Sequence, residues 1–183
     1  MMGAIDRWLP WLADLLELGG PILGTILIIA LVIWALLFER IYFMHWVYPT
    51  ALASARASWR SRTDKKSWYA EQWRGDLVST LSNGLVSAFP LIATLIKVCP
   101  LLGLLGTVMG MLEVFDALAA TGSNNPRSMA SGVSKATVST LAGMVVAIMG
   151  LLGSMVIERT ASAERERLPG YFSSESAQEA VKS

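Results

Sequence analysis

The sequence predicts an all-α integral membrane protein. Three transmembrane helices are expected, the second and third extending into the cytoplasm, in a homo-oligomeric assembly. Three observations predict it. The 183 residues are 54% hydrophobic and only 16% charged, on the membrane side of ordinary globular usage. Charge-free runs of bilayer length recur, and two of them carry small residues at helical spacing. Basic residues gather in the segments that alternate with those runs, as membrane topology requires.

Residues 1–19 read as a short amphipathic helix on the periplasmic side. Trp8, Leu9, Trp11, Leu12, Leu15, Leu16 and Leu18 recur among Asp6, Asp14 and Glu17, and tryptophan suits the membrane–water interface. Arg7 is the single early base, so no cleaved signal peptide is expected. Residues 20–38 form the first span, since about 20 uncharged residues cross a bilayer. Glu39-Arg40 closes it, and Tyr42, Trp46 and Tyr48 follow as interfacial anchors, with His45 among them as an interfacial packing residue or else a proton relay.

Residues 39–76 are the polar cytoplasmic segment. Pro49 marks a turn out of the membrane, a helix is expected to about residue 61, and Ser61–Asp64 reads as a turn or N-cap before the next helix. The basic patch with Trp59, Trp68 and Trp73 is a topology signal rather than a nucleic-acid surface. From Leu77 to Ala120 only Lys97, Glu113 and Asp116 are charged. A helix of that length reaches about 66 Å, twice the hydrocarbon core. The reading is therefore a cytoplasmic extension over 77–97, continuous with a span over 98–118, with Lys97 at the boundary and a kink at Pro100.

Residues 119–130 form a turn-rich periplasmic loop, 131–157 the third span and 158–183 a charged, Ser/Glu-rich cytoplasmic tail. Arg40, Arg56, Arg60, Arg62, Lys65, Lys66, Arg74, Arg159, Arg165, Arg167 and Lys182 all lie in 39–76 or 158–183, against only Arg7 in the N-terminal segment and Arg127 in the loop between the second and third spans. That asymmetry puts the N-terminus outside and the C-terminus inside.

Two seams carry the functional reading. Pro100-Leu-Leu-Gly-Leu-Leu-Gly-Thr-Val-Met-Gly110 places Gly103, Gly106, Thr107 and Gly110 close together on a helix. Such glycines weaken a helix in water but allow close approach in lipid. In the third span, Ala136, Thr140, Gly143, Ala147, Gly150 and Ser154 step by 4, 3, 4, 3 and 4, the repeat of a left-handed packing seam. Each seam bears one threonine, Thr107 or Thr140. A threonine alone is more often a packing residue that bonds back to a carbonyl, whereas two on facing seams point to a polar lumen. Catalysis is not expected: there is one cysteine, Cys99, one histidine, His45, no nucleotide fingerprint, and no converging nucleophile–base pair. No metal or cofactor is expected either. Glu113 and Asp116 read as span-terminating or ion-paired groups.

The stretch 100–110, followed by Gly132-Val-Ser-Lys-Ala-Thr-Val-Ser-Thr-Leu-Ala-Gly143, resembles the ExbB/TolQ/MotA proton-channel family, and its ExbB side most. The resemblance implies a homopentamer in the bacterial inner membrane, its second and third helices lining a pore. That pore would hold an ExbD-like single-span partner with an intramembrane aspartate, and a TonB-like protein would deliver the motion. Thr107 and Thr140 match the pore threonines. Lys135 stands where the family commonly has glutamate; it is read as an interfacial anchor or a partner of Glu113 or Asp116 in a neighbouring subunit, or else as a pore residue. Met149 stands near the place of a proline found later in the family's third helix. The alternatives are a TolQ-like envelope-integrity motor subunit, a non-conducting scaffold, and a MotA-like stator, for which 39–76 is short.

Overall fold

The computed structural model describes residues 10–62, 67–121 and 126–180. All regular structure there is helical: α1 Pro10–Tyr42, a π-helical turn Phe43–Val47, α2 Tyr48–Arg60, α3 Trp68–Val86, α4 Phe89–Thr121 and α5 Pro126–Ala180. Three stretches are long and apolar enough to cross a membrane: Gly19–Arg60, Trp68–Ala119 and Met129–Phe172. The chain divides into two compact units, one holding α1 up to Trp34 with Ala93–Leu152, the other holding Ala35–Ile92 with the chain from Gly153 onward.

In the first unit, α1 breaks at Gly20, whose φ of 66° and ψ of −167° lie in a region open essentially to glycine alone. Pro21 follows, suited to a first helical position where its missing N–H costs nothing. The break separates the helix over 10–19 from the first span. The expected amphipathic helix is thus helical over 10–19, while Asp6, Arg7, Trp8 and Leu9 lie outside the described residues.

The first unit packs along small side chains. On α4 the buried positions are Ile96, Cys99, Gly103, Gly106, Gly110 and Val114; on α5 they are Gly132, Ala136, Ser139, Gly143 and Gly150. Both stripes step by three and four, apart from one step of seven between Gly143 and Gly150, so each stays on one helix face. Leu23, Ile26 and Ile33 supply the buried face of α1.

The second unit is closed by aromatic packing. Trp59 of α2 stacks on Trp73 of α3 at 6.5 Å and meets Phe172 of α5 edge-on at 6.4 Å. Trp59 and Phe172 are buried, as are Ala55, Ala70 and Leu168. Arg56 lies 4.0 Å over the Tyr171 ring. Burying aromatic rings of this size removes more apolar surface than any other residue type and adds about 0.5–1.5 kcal/mol per ring pair.

Four sequence expectations change. The helix expected to run unbroken from 77 to 118 is interrupted between Val86 and Phe89. Pro90 is the cause: it has no N–H to donate to the Val86 carbonyl, so the ladder cannot run on through this point. By contrast α4 continues through Pro100. Pro49 does not turn the chain out of helix, because it stands in the first turn of α2. The π-helical turn Phe43–Val47 lies just before it, and a proline is tolerated in the first turn because its missing donor falls where the ladder has yet to begin. The N-cap ahead of α3 is Ser67, whose hydroxyl accepts from Ala70 N at 3.2 Å; of the expected turn or cap over 61–64, Ser61 lies in the turn after α2 and residues 63 and 64 lie outside the described residues. Finally, α5 begins at Pro126, inside the expected loop, and continues to Ala180 through the expected tail. Ala161, Leu168 and Phe172 fall on one face at spacings of seven and four and are fully buried, which gives the charged segment an apolar stripe to fold on.

Candidate functional site

The site is the α4–α5 seam of the first unit. It forms because the facing positions have almost no side chain. A Cβ on Gly143 would stand 2.6 Å from the Cys99 carbonyl oxygen, and one on Gly103 3.1 Å from the Thr140 Cα. Further along, a Cβ on Gly110 would stand 2.8 Å from the Gly132 carbonyl oxygen and 2.9 Å from the Ala136 Cβ. The backbones are in contact over several turns, the packing mode that holds helices together in lipid.

The two threonines lie at the edge of this contact, both half-buried. Thr140 Oγ1 is 3.1 Å from the Gly103 carbonyl oxygen on α4 and 3.2 Å from the Ala136 carbonyl oxygen on its own helix. Thr107 Oγ1 donates to the Leu104 carbonyl at 2.7 Å. Gly103 therefore brings Thr140 to a point one turn before Thr107 on α4. Each hydroxyl has its single proton occupied by a carbonyl, so each offers only lone pairs to a further group. Towards the chain termini of the seam, Lys135 Nζ and Glu113 Oε2 form an ion pair at 2.7 Å within the one chain. Asp116 is exposed beside it.

Of the remaining seam residues, Gly103, Gly106, Gly110, Ala136, Gly143 and Gly150 are buried, and Ala147 is half-buried. Gly150 approaches Ile96 and Ile33. Ser139 was not legible as a site residue. It is 1% exposed, and its Oγ donates to the Gly19 carbonyl at 2.9 Å. The α5 stripe passes through Ser139 rather than Thr140. Extending the small-residue pattern back to Gly132 admits 132, 136, 139 and 143 as well as 132, 136, 140 and 143, so spacing offers Ser139 as a candidate without choosing it. No group of three or more His, Cys, Asp or Glu side chains able to hold a metal occurs among the described residues.

The model of the MotA/TolQ/ExbB proton channel family matches residues 63–169. The chain belongs to the MotA/TolQ/ExbB proton channel family. The match takes in α3, α4 and most of α5, the whole candidate site included, and with three helices of spanning length this family member is a multi-pass membrane protein. It is 39% identical over 72 residues to the biopolymer transport protein exbB1 of Vibrio cholerae, covering 39% of this chain and 32% of the relative. It is 47% identical over 64 residues to a putative biopolymer transport protein, ExbB-like 3, of Synechocystis, covering 34% and 30%. A Helicobacter pylori ExbB-like protein aligns over 104 residues at 28% identity, covering 55% and 53%. The alignments thus span about a third to a half of the length of these curated relatives. No solved structure matches the chain.

Proposed function

We propose that this protein is the channel-forming subunit of a proton-driven energy transducer in the bacterial inner membrane. With an ExbD-like partner it converts proton motive force into mechanical energy for TonB-dependent outer-membrane transport. One observation supports this above the rest: within the family-matching region, Thr107 and Thr140 sit on the two helices of one glycine-packed seam, each with its proton engaged by a backbone carbonyl. A hydroxyl in that state accepts a hydrogen bond from a protonated carboxyl and gives none to a carboxylate. Facing an aspartate on a partner helix, it favours the neutral acid, which low-polarity surroundings favour as well. An acid that gains its proton on one side and loses it on the other carries a proton per cycle.

The subunit works as a homo-oligomer, a pentamer by family resemblance, with its N-terminus in the periplasm and its C-terminus in the cytoplasm, as the distribution of bases requires. It supplies no catalytic groups and takes no cofactor. Relatives named as ExbB-type biopolymer transport proteins favour the TonB-type role over a TolQ-type one. Glu113 offsets the charge of Lys135, which weighs against the non-conducting scaffold.

The test is proton uptake into liposomes under an imposed pH gradient. The protein co-purified with its ExbD-like partner is expected to conduct, and replacing the partner's membrane aspartate by asparagine is expected to abolish uptake. Co-purification without conduction would favour the scaffold.

A further inference from the structure

Among the described residues of the first unit, Ser139 is the deepest polar side chain, 1% exposed, and it touches two other helices at once. Its Oγ donates to the Gly19 carbonyl of α1 at 2.9 Å. On the α4 side a Cβ added to Gly106 would lie 2.5 Å from the Ser139 Cβ, so only the bare glycine admits the serine. The acceptor is an unusual one. Gly20 adopts its left-handed conformation immediately before Pro21, which makes it the residue ahead of the spanning helix. The Ser139 hydroxyl therefore links α5 to the α1 backbone at its break, and a buried hydroxyl that gives its proton to a carbonyl avoids the desolvation cost of an unmet donor.

Ser139 is followed directly by Thr140. Consecutive helical residues point about 100° apart, so one turn of α5 is fixed on two sides: Ser139 against the break in α1, Thr140 against Gly103 of α4. We propose that Ser139 is a positioning residue, setting the rotation of α5 through the Gly19 carbonyl so that the Thr140 hydroxyl faces Gly103 and its lone pairs face the proton path. The link also ties the helix over 10–19 to the threonine, so a pull on that segment reaches the seam. This rests on the reading of Thr140 as a proton-path residue.

The experiment combines flux with distance. Ser139→Ala removes the hydroxyl and keeps the Cβ that fills the gap beside Gly106. Flux is measured in liposomes against pH for wild type, Ser139→Ala, Thr140→Val and the double variant, each with the ExbD-like partner. Spin labels at Ile28 on α1 and Met144 on α5, both exposed, report helix rotation by electron-spin distance measurement in a Cys99→Ser background. Ser139→Ala is expected to slow flux about three- to tenfold, the size of one interhelical hydrogen bond in a membrane. It should shift the 28–144 distance distribution and move the pH midpoint of flux in the same direction as Thr140→Val does. In the double variant the two effects should not multiply, because one acts through the other. Multiplying effects, or an unchanged distance distribution, would overturn the proposal. If Thr140→Val leaves flux unaltered, the proton-path reading fails on its own, and the distance shift in Ser139→Ala alone decides whether Ser139 sets the rotation of α5.

Discussion

The Thr140 hydroxyl lies 3.1 Å from the Gly103 carbonyl oxygen of the neighbouring helix. That spacing requires the two backbones to touch, and they do so because residue 103 has no side chain to hold them apart. The position of this hydroxyl is therefore set by helix packing: whatever separates α4 from α5 also moves the threonine.

Gly143→Val tests that coupling. Its Cβ would stand 2.6 Å from the Cys99 carbonyl oxygen, and a backbone carbonyl cannot rotate aside as a side chain does. Overpacking of this kind costs about 1–3 kcal/mol. The variant is expected to denature at lower temperature in detergent and to lose proton flux even where it still inserts. Gly75→Ala, at a glycine with nothing within 4 Å, is the matched control and is expected to be neutral or mildly stabilising, as alanine favours helix.

Arg40 is 6% exposed, and its Nη1 donates to the Gly84 carbonyl at 2.6 Å near the end of α3. The interruption after Val86 leaves that carbonyl without its usual helical donor, and a cation suits a helix C-terminus. Arg40→Met is expected to cost about 1–3 kcal/mol, the penalty for an unsatisfied buried acceptor. Arg40→Lys is expected to recover part of it. Thermal denaturation followed by circular dichroism reads both.

The Lys135–Glu113 pair is a third case. Its side chains are 33% and 50% exposed, so solvent screening limits the coupling to about 0.2–1 kcal/mol. Exchanging the charges, Lys135→Glu with Glu113→Lys, is expected to restore most of the stability that either single reversal loses. A double-mutant cycle in detergent measures it, and the coupling should shrink at high salt.

Phe172 holds the last part of α5 against Trp59. Phe172→Ala is expected to destabilise by about 3–5 kcal/mol and to expose the end of α5 to limited proteolysis. The first sign should be cleavage in the segment after residue 160, with the spans still protected.

Much of this was legible in the sequence. The three spans, the glycines of α4 and the small residues of α5 follow from hydropathy and spacing, because lipid-embedded helices have few other ways to pack. The phase of the α5 stripe was not. Positions 136, 140 and 143 and positions 136, 139 and 143 lie within the same arc of a helix, so periodicity cannot choose between Ser139 and Thr140; the contact with Gly106 and the Gly19 carbonyl does. The break before Phe89 is signalled by Pro90, but the sequence holds a second proline, Pro100, in the same apolar run, and the helix continues through that one. The helical course of the tail was hidden by its charges, since Leu168 and Phe172 become a stripe only once Trp59 is there to receive them. Lys135, read as an interfacial anchor, a partner of Glu113 or Asp116 across subunits, or a pore residue, pairs with Glu113 of its own chain; side-chain identity could name the partners but not the subunit.

The most direct test of the central claim is proton flux through the reconstituted complex with the seam threonines altered. Thr107→Val and Thr140→Val keep the side-chain shape and remove the hydroxyls, while Thr→Ser at each position keeps the hydroxyl. Both valine variants are expected to assemble with the partner and to lose most of the flux, with serine restoring it. Undiminished flux through correctly assembled valine variants would contradict the account and leave Thr107 and Thr140 as packing residues.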